Sequence, residues 1–158
     1  MDVAPLNDDE ELVWRSLMRL ASRLPRVLGE DLQRSCGLSS TEYSVLMHLS
    51  ESPGKRLRMS DLADRTALSQ SRITRVVDEM AKLNLVERRR GSDDGRTAFA
   101  SLTRTGLTAL RRAWPHHLQS TRQHALDHLT PEETHLLAPI LHRLAEAADS
   151  EHRTVTPD

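Results

Sequence analysis

Residues 62–85, LADRTALSQSRITRVVDEMAKLNL, read as two short helices joined by a tight turn at Ala67 and Leu68. In the second helix Ile73, Val76, Val77, Met80 and Leu83 recur at helical spacing and define one buried stripe. Ser69 stands where an N-cap accepts a backbone hydrogen bond, which puts Gln70, Ser71, Arg72, Thr74 and Arg75 in the first two turns. Ser71, Arg72 and Arg75 point away from the stripe, with side chains able to reach base edges and phosphates. Upstream, Met59, Leu62 and Ala63 give a shorter amphipathic segment that ends in a turn setting the two helices at a steep angle. That is a helix-turn-helix pattern. An ordinary exposed helix of mixed charge would show the same periodicity, so the surroundings decide between them.

Downstream, Asn84 sits where the helix must end and tolerates the left-handed backbone common there. Leu85, Val86 and Glu87 lead into Arg88, Arg89 and Arg90. Gly91-Ser92-Asp93-Asp94-Gly95 is a turn, and Thr97, Phe99 and Ser101 alternate with Ala98, Ala100 and Leu102 as a return strand. A helix followed by a basic hairpin is the pattern of a winged helix, in which the helix enters the major groove while the hairpin follows the backbone or dips into the minor groove.

Net charge is −1 over 158 residues, which looks wrong for a nucleic-acid binder until the chain is divided. From Lys55 to Arg112 there are 14 Lys and Arg against 7 Asp and Glu, a local +7, and the remainder carries −8. A positive field is thereby concentrated on the part of the chain that holds the helix-turn-helix. The length suits one domain or two small ones packed together, able to bury roughly two thirds of the unfolded surface. With 37% hydrophobic and 28% charged residues, no apolar run approaching a membrane span and no leader pattern at Met1–Pro5, a cytoplasmic protein without membrane contact is expected. The lone Cys36 makes neither an intrachain disulfide nor a cysteine-rich zinc site.

The flanks read as long helices. Asp8, Asp9, Glu10 and Glu11 load a helix start, and Leu12, Val13, Leu17, Leu20, Ala21 and Leu24 follow at helical spacing until Pro25, which is expected to kink or end the helix. Val27, Leu28 and Leu32 resume it. Ser39 and Glu42 fit a capping box for a helix carrying Tyr43, Val45, Leu46, Met47 and Leu49, stopped by Glu51-Ser52-Pro53-Gly54. Leu57 is at most a single short strand residue. A helix through Leu107, Leu110, Ala113, Trp114 and Leu118 is expected to bend at Pro115. Thr130-Pro131-Glu132-Glu133 then opens a last helix with Leu136, Leu137, Ile140, Leu141 and Leu144 on its apolar face. The expected fold is mainly α, a winged helix-turn-helix with a two-stranded β wing. Its divisions are a dimerisation helix at 8–35, a DNA-binding domain at 36–104, dimerisation helices at 105–148 and a disordered tail at 149–158. The terminal helices are too apolar to rest on one small domain, so a C2 homodimer with intertwined ends follows, meeting two half-sites about one helical turn apart.

Leu62-Ala63, Leu68-Ser69, Ile73-Thr74-Arg75-Val76-Val77-Asp78, Leu85-Val86-Glu87-Arg88 and Asp94-Gly95-Arg96, spaced five residues from Leu102-Thr103 with Gly106 beyond, resemble the MarR family of bacterial transcriptional regulators. The resemblance runs from about Asp9 to Ala148. Asn84 stands where that family usually has glycine, and the family's frequent proline before the wing aspartate is missing. The resemblance implies a sequence-specific duplex-DNA-binding regulator, expected to be a repressor, working as a homodimer on a pseudo-palindromic operator. It further implies that Arg96 enters the minor groove with Asp94 bracing it. A guanidinium suits a narrow minor groove, though by itself the pair could be a surface ion pair worth about 0–1 kcal/mol. An effector wedged between DNA-binding lobe and dimer base would alter the separation of the recognition helices. The resemblance implies such a small-molecule pocket, lined here by Trp14, Tyr43, Met47 and Trp114, for which plain core packing is the competing reading.

Other readings carry less. His124 and His128, one turn apart on a helix with His117 two turns earlier, have metal-chelating spacing, but no carboxylate or cysteine is fixed beside them, so no metal and no cofactor is expected. Cys36 could act as a redox switch as in relatives, yet it stands just before Gly37 rather than in the first helix where theirs lies. No nucleophile elbow, phosphate-cradling glycine loop or His-Glu-x-x-His occurs, so catalysis is not expected. The alternative from a different class is a helical protein-interaction adaptor that keeps the fold without binding DNA.

Overall fold

The computed structural model describes residues 4–90 and 97–155, with side chains as far as 148. The chain divides into two units, the first reaching Ser120 and the second starting at Thr121.

The first unit opens with α1 (Asp8–Cys36), whose start is fixed by a capping box: the Asn7 side chain accepts from the Glu10 N–H at 3.0 Å and the Glu10 carboxylate accepts from the Asn7 N–H at 2.8 Å. Gly37, left-handed at φ 72°, ends it, and the Arg112 guanidinium donates to the Cys36 carbonyl at 3.2 Å. The Ser39 and Glu42 box opens α2 (Ser40–Glu51) as expected. After a 3-10 turn at Pro53–Lys55 come β1 (Arg56–Arg58), α3 (Met59–Thr66), α4 (Gln70–Lys82), β2 (Val86–Arg90), β3 (Ala98–Leu102) and α5 (Arg104–His124). The core is built from Leu32 of α1, Val45, Leu46 and Leu49 of α2, Leu62 of α3, and Ile73, Val77 and Met80 of α4, all at most 1% exposed. Each such burial contributes about 1.5–3 kcal/mol. Leu32 and the half-buried Cys36 bring the C-terminal part of α1 into this same core.

The expected two-stranded wing is formed by β2 and β3, and a third antiparallel strand joins it in the order β1-β3-β2, because Leu57 is the buried centre of a strand whose register pairs it with Ala100. Of the two outcomes expected at Pro25, a kink or an end, α1 does not end there, and α5 continues past Pro115 as one helix. Each proline, and the residue four positions earlier whose carbonyl it leaves without its helical donor, is exposed, so water serves the freed group.

In the second unit the end of α5 is followed by a 3-10 turn at Leu126–His128 and by α6 (Pro131–Val155). Thr130 and Glu133 form the expected box, the hydroxyl accepting from the Glu133 N–H at 3.2 Å and the carboxylate from the Thr130 N–H at 2.8 Å. The segment from Asp149, expected to be disordered, continues α6 as far as Val155. It holds neither glycine nor proline before Pro157.

The foot of the ribbon formed by β2 and β3 is closed by Thr103. Its hydroxyl lies 2.7 Å from the Asn84 carbonyl and 2.9 Å from that of Leu85, and accepts from the Gly106 N–H at 2.9 Å, opening α5. Gly106 is pressed against the same corner, where an added Cβ would stand 2.0 Å from the Leu85 carbonyl oxygen and 2.9 Å from Leu102. No L side chain fits there. Gly106→Ala is therefore expected to lower stability by about 1–3 kcal/mol or more, read as a lower urea midpoint at an unchanged m-value.

Tyr43 of α2, 4% exposed, packs its ring against His117 of α5, centroids 4.5 Å apart at 37°. Burial, then the Glu51 and Cys36 charges, push the Tyr43 hydroxyl up to about 12. Burial alone pushes His117 down, and His48 is pushed down by burial and then by Arg65, with Glu51 opposing. Both imidazoles thus resist protonation when folded, whereas the unfolded chain protonates them near pH 6.5. Below that pH the unfolded state binds more protons, so stability is lost as pH falls. The urea midpoint should drop between about pH 7.5 and pH 5.5, and drop less in His117→Phe.

Candidate nucleic-acid interface

The orientation of α4 follows from its buried face. Ile73, Val77 and Met80 are fully buried, at i, i+4 and i+7, so the opposite face must look outward. Its start is capped by Ser69, whose hydroxyl accepts from the Arg72 N–H at 3.4 Å and lies 3.2 Å from the Ser71 hydroxyl. Ser69, Gln70, Ser71, Arg72 and Arg75 are exposed, and Thr74 is half-buried. Among the described residues neither Arg72 nor Arg75 is held in an ion pair.

Local backbone sets both ends of this helix. Ala67 closes α3 in the left-handed region, at φ 52° and ψ 37°, with the Leu68 N–H donating back to the Ala63 carbonyl at 3.0 Å. Asn84 does the same for α4 at φ 56°, with the Leu85 N–H on the Met80 carbonyl at 3.0 Å. Asparagine supplies the backbone shape expected of it; the alanine in the earlier turn gives no such signal in the sequence.

The ribbon splits its arginines between faces. Arg88 and Arg90 pair with Ala100 and Ala98, and Arg89 pairs with Phe99 on the opposite face. Arg88 reaches back to α4, where its Nη1 lies 3.1 Å from an Asp78 carboxylate oxygen. Arg89 is held at 2.8 Å by Glu87, a hydrogen bond and charge that raise its already high pKa further. All three arginines are exposed. Asp94, Arg96 and the turn at 91–95 lie outside the described residues. Asp78 was not singled out from the sequence as a partner of the ribbon, since nothing local links it to a residue ten positions later. Its charge at the edge of the apolar stripe was the available signal.

Tyr43 belongs to the core, Met47 is half-buried against it, and Trp14 and Trp114 are about half exposed. Three hollows of the first unit are lined by other residues. One hollow, of about 770 Å³, lies between α4 and β2, lined by Asp78, Glu87, Arg88 and Thr103 among others. A second borders Pro25 and Ser40, and a third borders Arg104 and Arg112.

The histidine spacing is corrected too. α5 ends at His124, and His128 sits in the separate 3-10 turn, so the two are not one turn apart on a helix. Among the described residues no three His, Cys, Asp or Glu side chains stand close enough to hold a metal. Cys36 is the last residue of the first helix rather than beyond it. It is half-buried, with its thiol donating to the Leu32 carbonyl at 3.1 Å. No helix of the described residues is long and apolar enough to cross a membrane.

The MarR family model matches residues 37–97, from just past α1 to just before β3. Among solved structures, the chain is similar to Sco3205, a MarR family transcriptional regulator from Streptomyces coelicolor in complex with DNA. The two are 38% identical with a TM-score of 0.84, covering 92% of this chain and 91% of that one. AbsC, a MarR family regulator from the same organism, is 39% identical with a TM-score of 0.83, covering 94% of this chain and 99% of that one. The HTH-type transcriptional repressor YetL of Bacillus subtilis is 28% identical over 134 residues, 85% of this chain and 79% of YetL. These relatives are regulators, not enzymes. Sharing more than a third of its residues with two such proteins over nearly their whole length, the chain belongs to the MarR family of transcriptional regulators.

Proposed function

We propose that this regulator binds duplex DNA sequence-specifically, as a homodimer on a pseudo-palindromic operator. The observation that carries the reading is α4: its inner face is fully buried, while Ser69, Gln70, Ser71, Arg72 and Arg75 stand exposed in its first two turns, with Thr74 beside them. That is the end of a recognition helix that meets base edges in the major groove. Arg72 and Arg75 supply bidentate guanidinium contacts to guanine or phosphate, and the hydroxyls and Gln70 supply adaptable ones. Arg88, Arg89 and Arg90 carry the ribbon along the backbone, and Arg96, braced by Asp94, enters the minor groove. That Sco3205 was crystallised with DNA supports the same partner here.

Two apolar faces favour the dimer. Leu12, Val13, Trp14 and Leu20 on α1 and Leu136, Ile140, Leu141 and Leu144 on α6 are exposed, Leu12 at 66% and Leu136 at 64%. Runs of large apolar side chains in water mark surfaces that associate. A second copy covers them and, by C2 symmetry, presents two copies of α4 to successive turns of a duplex. Repression is the favoured mode, as in YetL, with release by a small molecule acting on the separation of the two lobes.

Sedimentation at micromolar concentration should give the mass of two chains, and a monomer that still bound DNA fully would overturn this architecture. On duplex DNA the affinity should fall steeply and linearly in log–log plots against salt. Arg72→Ala or Arg75→Ala should weaken binding to the selected operator by roughly 5- to 100-fold. A flat salt dependence with indifference to both substitutions would favour the adaptor.

A further inference from the structure

Strand pairing sorts the side chains of the sheet. Residues opposite one another in antiparallel strands share a face. Leu57, Ala100 and Val86 therefore look toward the core. Arg56, Ser101 and Glu87 form one row on the other face, and Arg58, Phe99 and Arg89 form the next. Arg56 and Arg58 are exposed on either side of buried Leu57. The Arg56 guanidinium lies over the Phe99 ring, 3.7 Å from its centroid. Glu87 is engaged by Arg89 at 2.8 Å, and among the described residues Arg56 and Arg58 make no ion pair. Among the described residues two arginines thus stand without a carboxylate, one of them placed over an aromatic ring.

We propose that this outer face of the sheet is a second phosphate-contacting surface, on which Arg56 and Arg58 hold the sugar–phosphate backbone beside the groove that the ribbon enters. The inference rests on the duplex binding proposed above and extends it to residues outside both the recognition helix and the arginine run. A duplex is favoured over an acidic protein by continuity. The same three-stranded sheet carries Arg88, Arg89 and Arg90, and a minor groove about 6 Å wide admits a ribbon by its edge, leaving the ribbon's face against one wall of phosphates. The row from Arg58 to Arg89 crosses two strand spacings, about 10 Å. It can follow a backbone that carries one charge per about 3.4 Å of axis on each strand. Contacts of this kind reach no base edge, so they add affinity to every sequence alike.

The test compares wild type with Arg56→Gln/Arg58→Gln and Arg56→Lys/Arg58→Lys. The probes are sheared genomic duplex DNA and the tightest duplex selected from it. The Gln variant should lose roughly ten- to hundredfold on both probes, with a log–log salt slope shallower by about 2. It should also lose hydroxyl-radical protection along one backbone stretch in each half-site while protection opposite α4 remains. The Lys variant should keep the wild-type slope. Should the double Gln variant fail to fold, Arg58→Gln alone leaves the stacking on Phe99 in place and should make the slope shallower by about 1. An unchanged slope and footprint, with wild type binding steeply, overturns this surface and leaves duplex binding standing. A change in sedimenting mass instead assigns the face to a contact with the acidic helix start of a second copy, and equally overturns it. Wild type without salt-dependent duplex binding overturns both.

Discussion

Everything the surface of this chain offers depends on how α4 is held in rotation about its own axis. Ile73, Val77 and Met80 lie on one line and are fully buried against Leu46, Leu49 and Leu62. One residue of helix corresponds to about 100° of turn, so any slip would expose an apolar side chain and drive Arg72 or Arg75 toward the core. Each buried side chain contributes about 1.5–3 kcal/mol against such a slip. The hydrophobic stripe therefore does the aiming, and the polar residues inherit their direction from it.

The ribbon is oriented by weaker means. Val86 buries its foot, and the Arg88 to Asp78 contact ties its inner face to α4. Both of those side chains are more than a third exposed, and such a pair contributes only about 0–1 kcal/mol. Its effect is on direction: it links the two elements proposed to meet adjacent grooves. On the other face, Arg56 lies over the Phe99 ring and Arg89 pairs with Glu87.

How much could be read from the sequence follows from how local each determinant is. The boxes at Ser39 and Thr130, the Ser69 cap and the left-handed Asn84 each depend on residues within a single turn, and the sequence displays them. The buried stripe of α4 is periodic and equally visible, except that Leu83, counted in it from spacing, stands 61% exposed at the end of the helix. What stayed hidden requires partners distant in the chain. β1 exists because Ala100 lies opposite Leu57, the arginine run splits because pairing alternates, and Asp78 acquires its role only when β2 folds back. Whether Pro25 ends α1 or leaves it continuous depends on whether water reaches the freed carbonyl, which residue type does not reveal.

The corner at Thr103 has a bearing on how this architecture can diversify. Strand β2 departs from Leu85 and strand β3 returns to Thr103, and the two positions are joined by hydrogen bonds while Gly106 abuts the same carbonyl. Departure and return are thereby fixed to one spot at the start of α5. Residues gained or lost at the far end would change the reach of the hairpin without displacing the helix that follows it. Evolution can thus trim or lengthen this finger independently of the scaffold, as a hinge pin lets a door be cut to a new height without rehanging the frame.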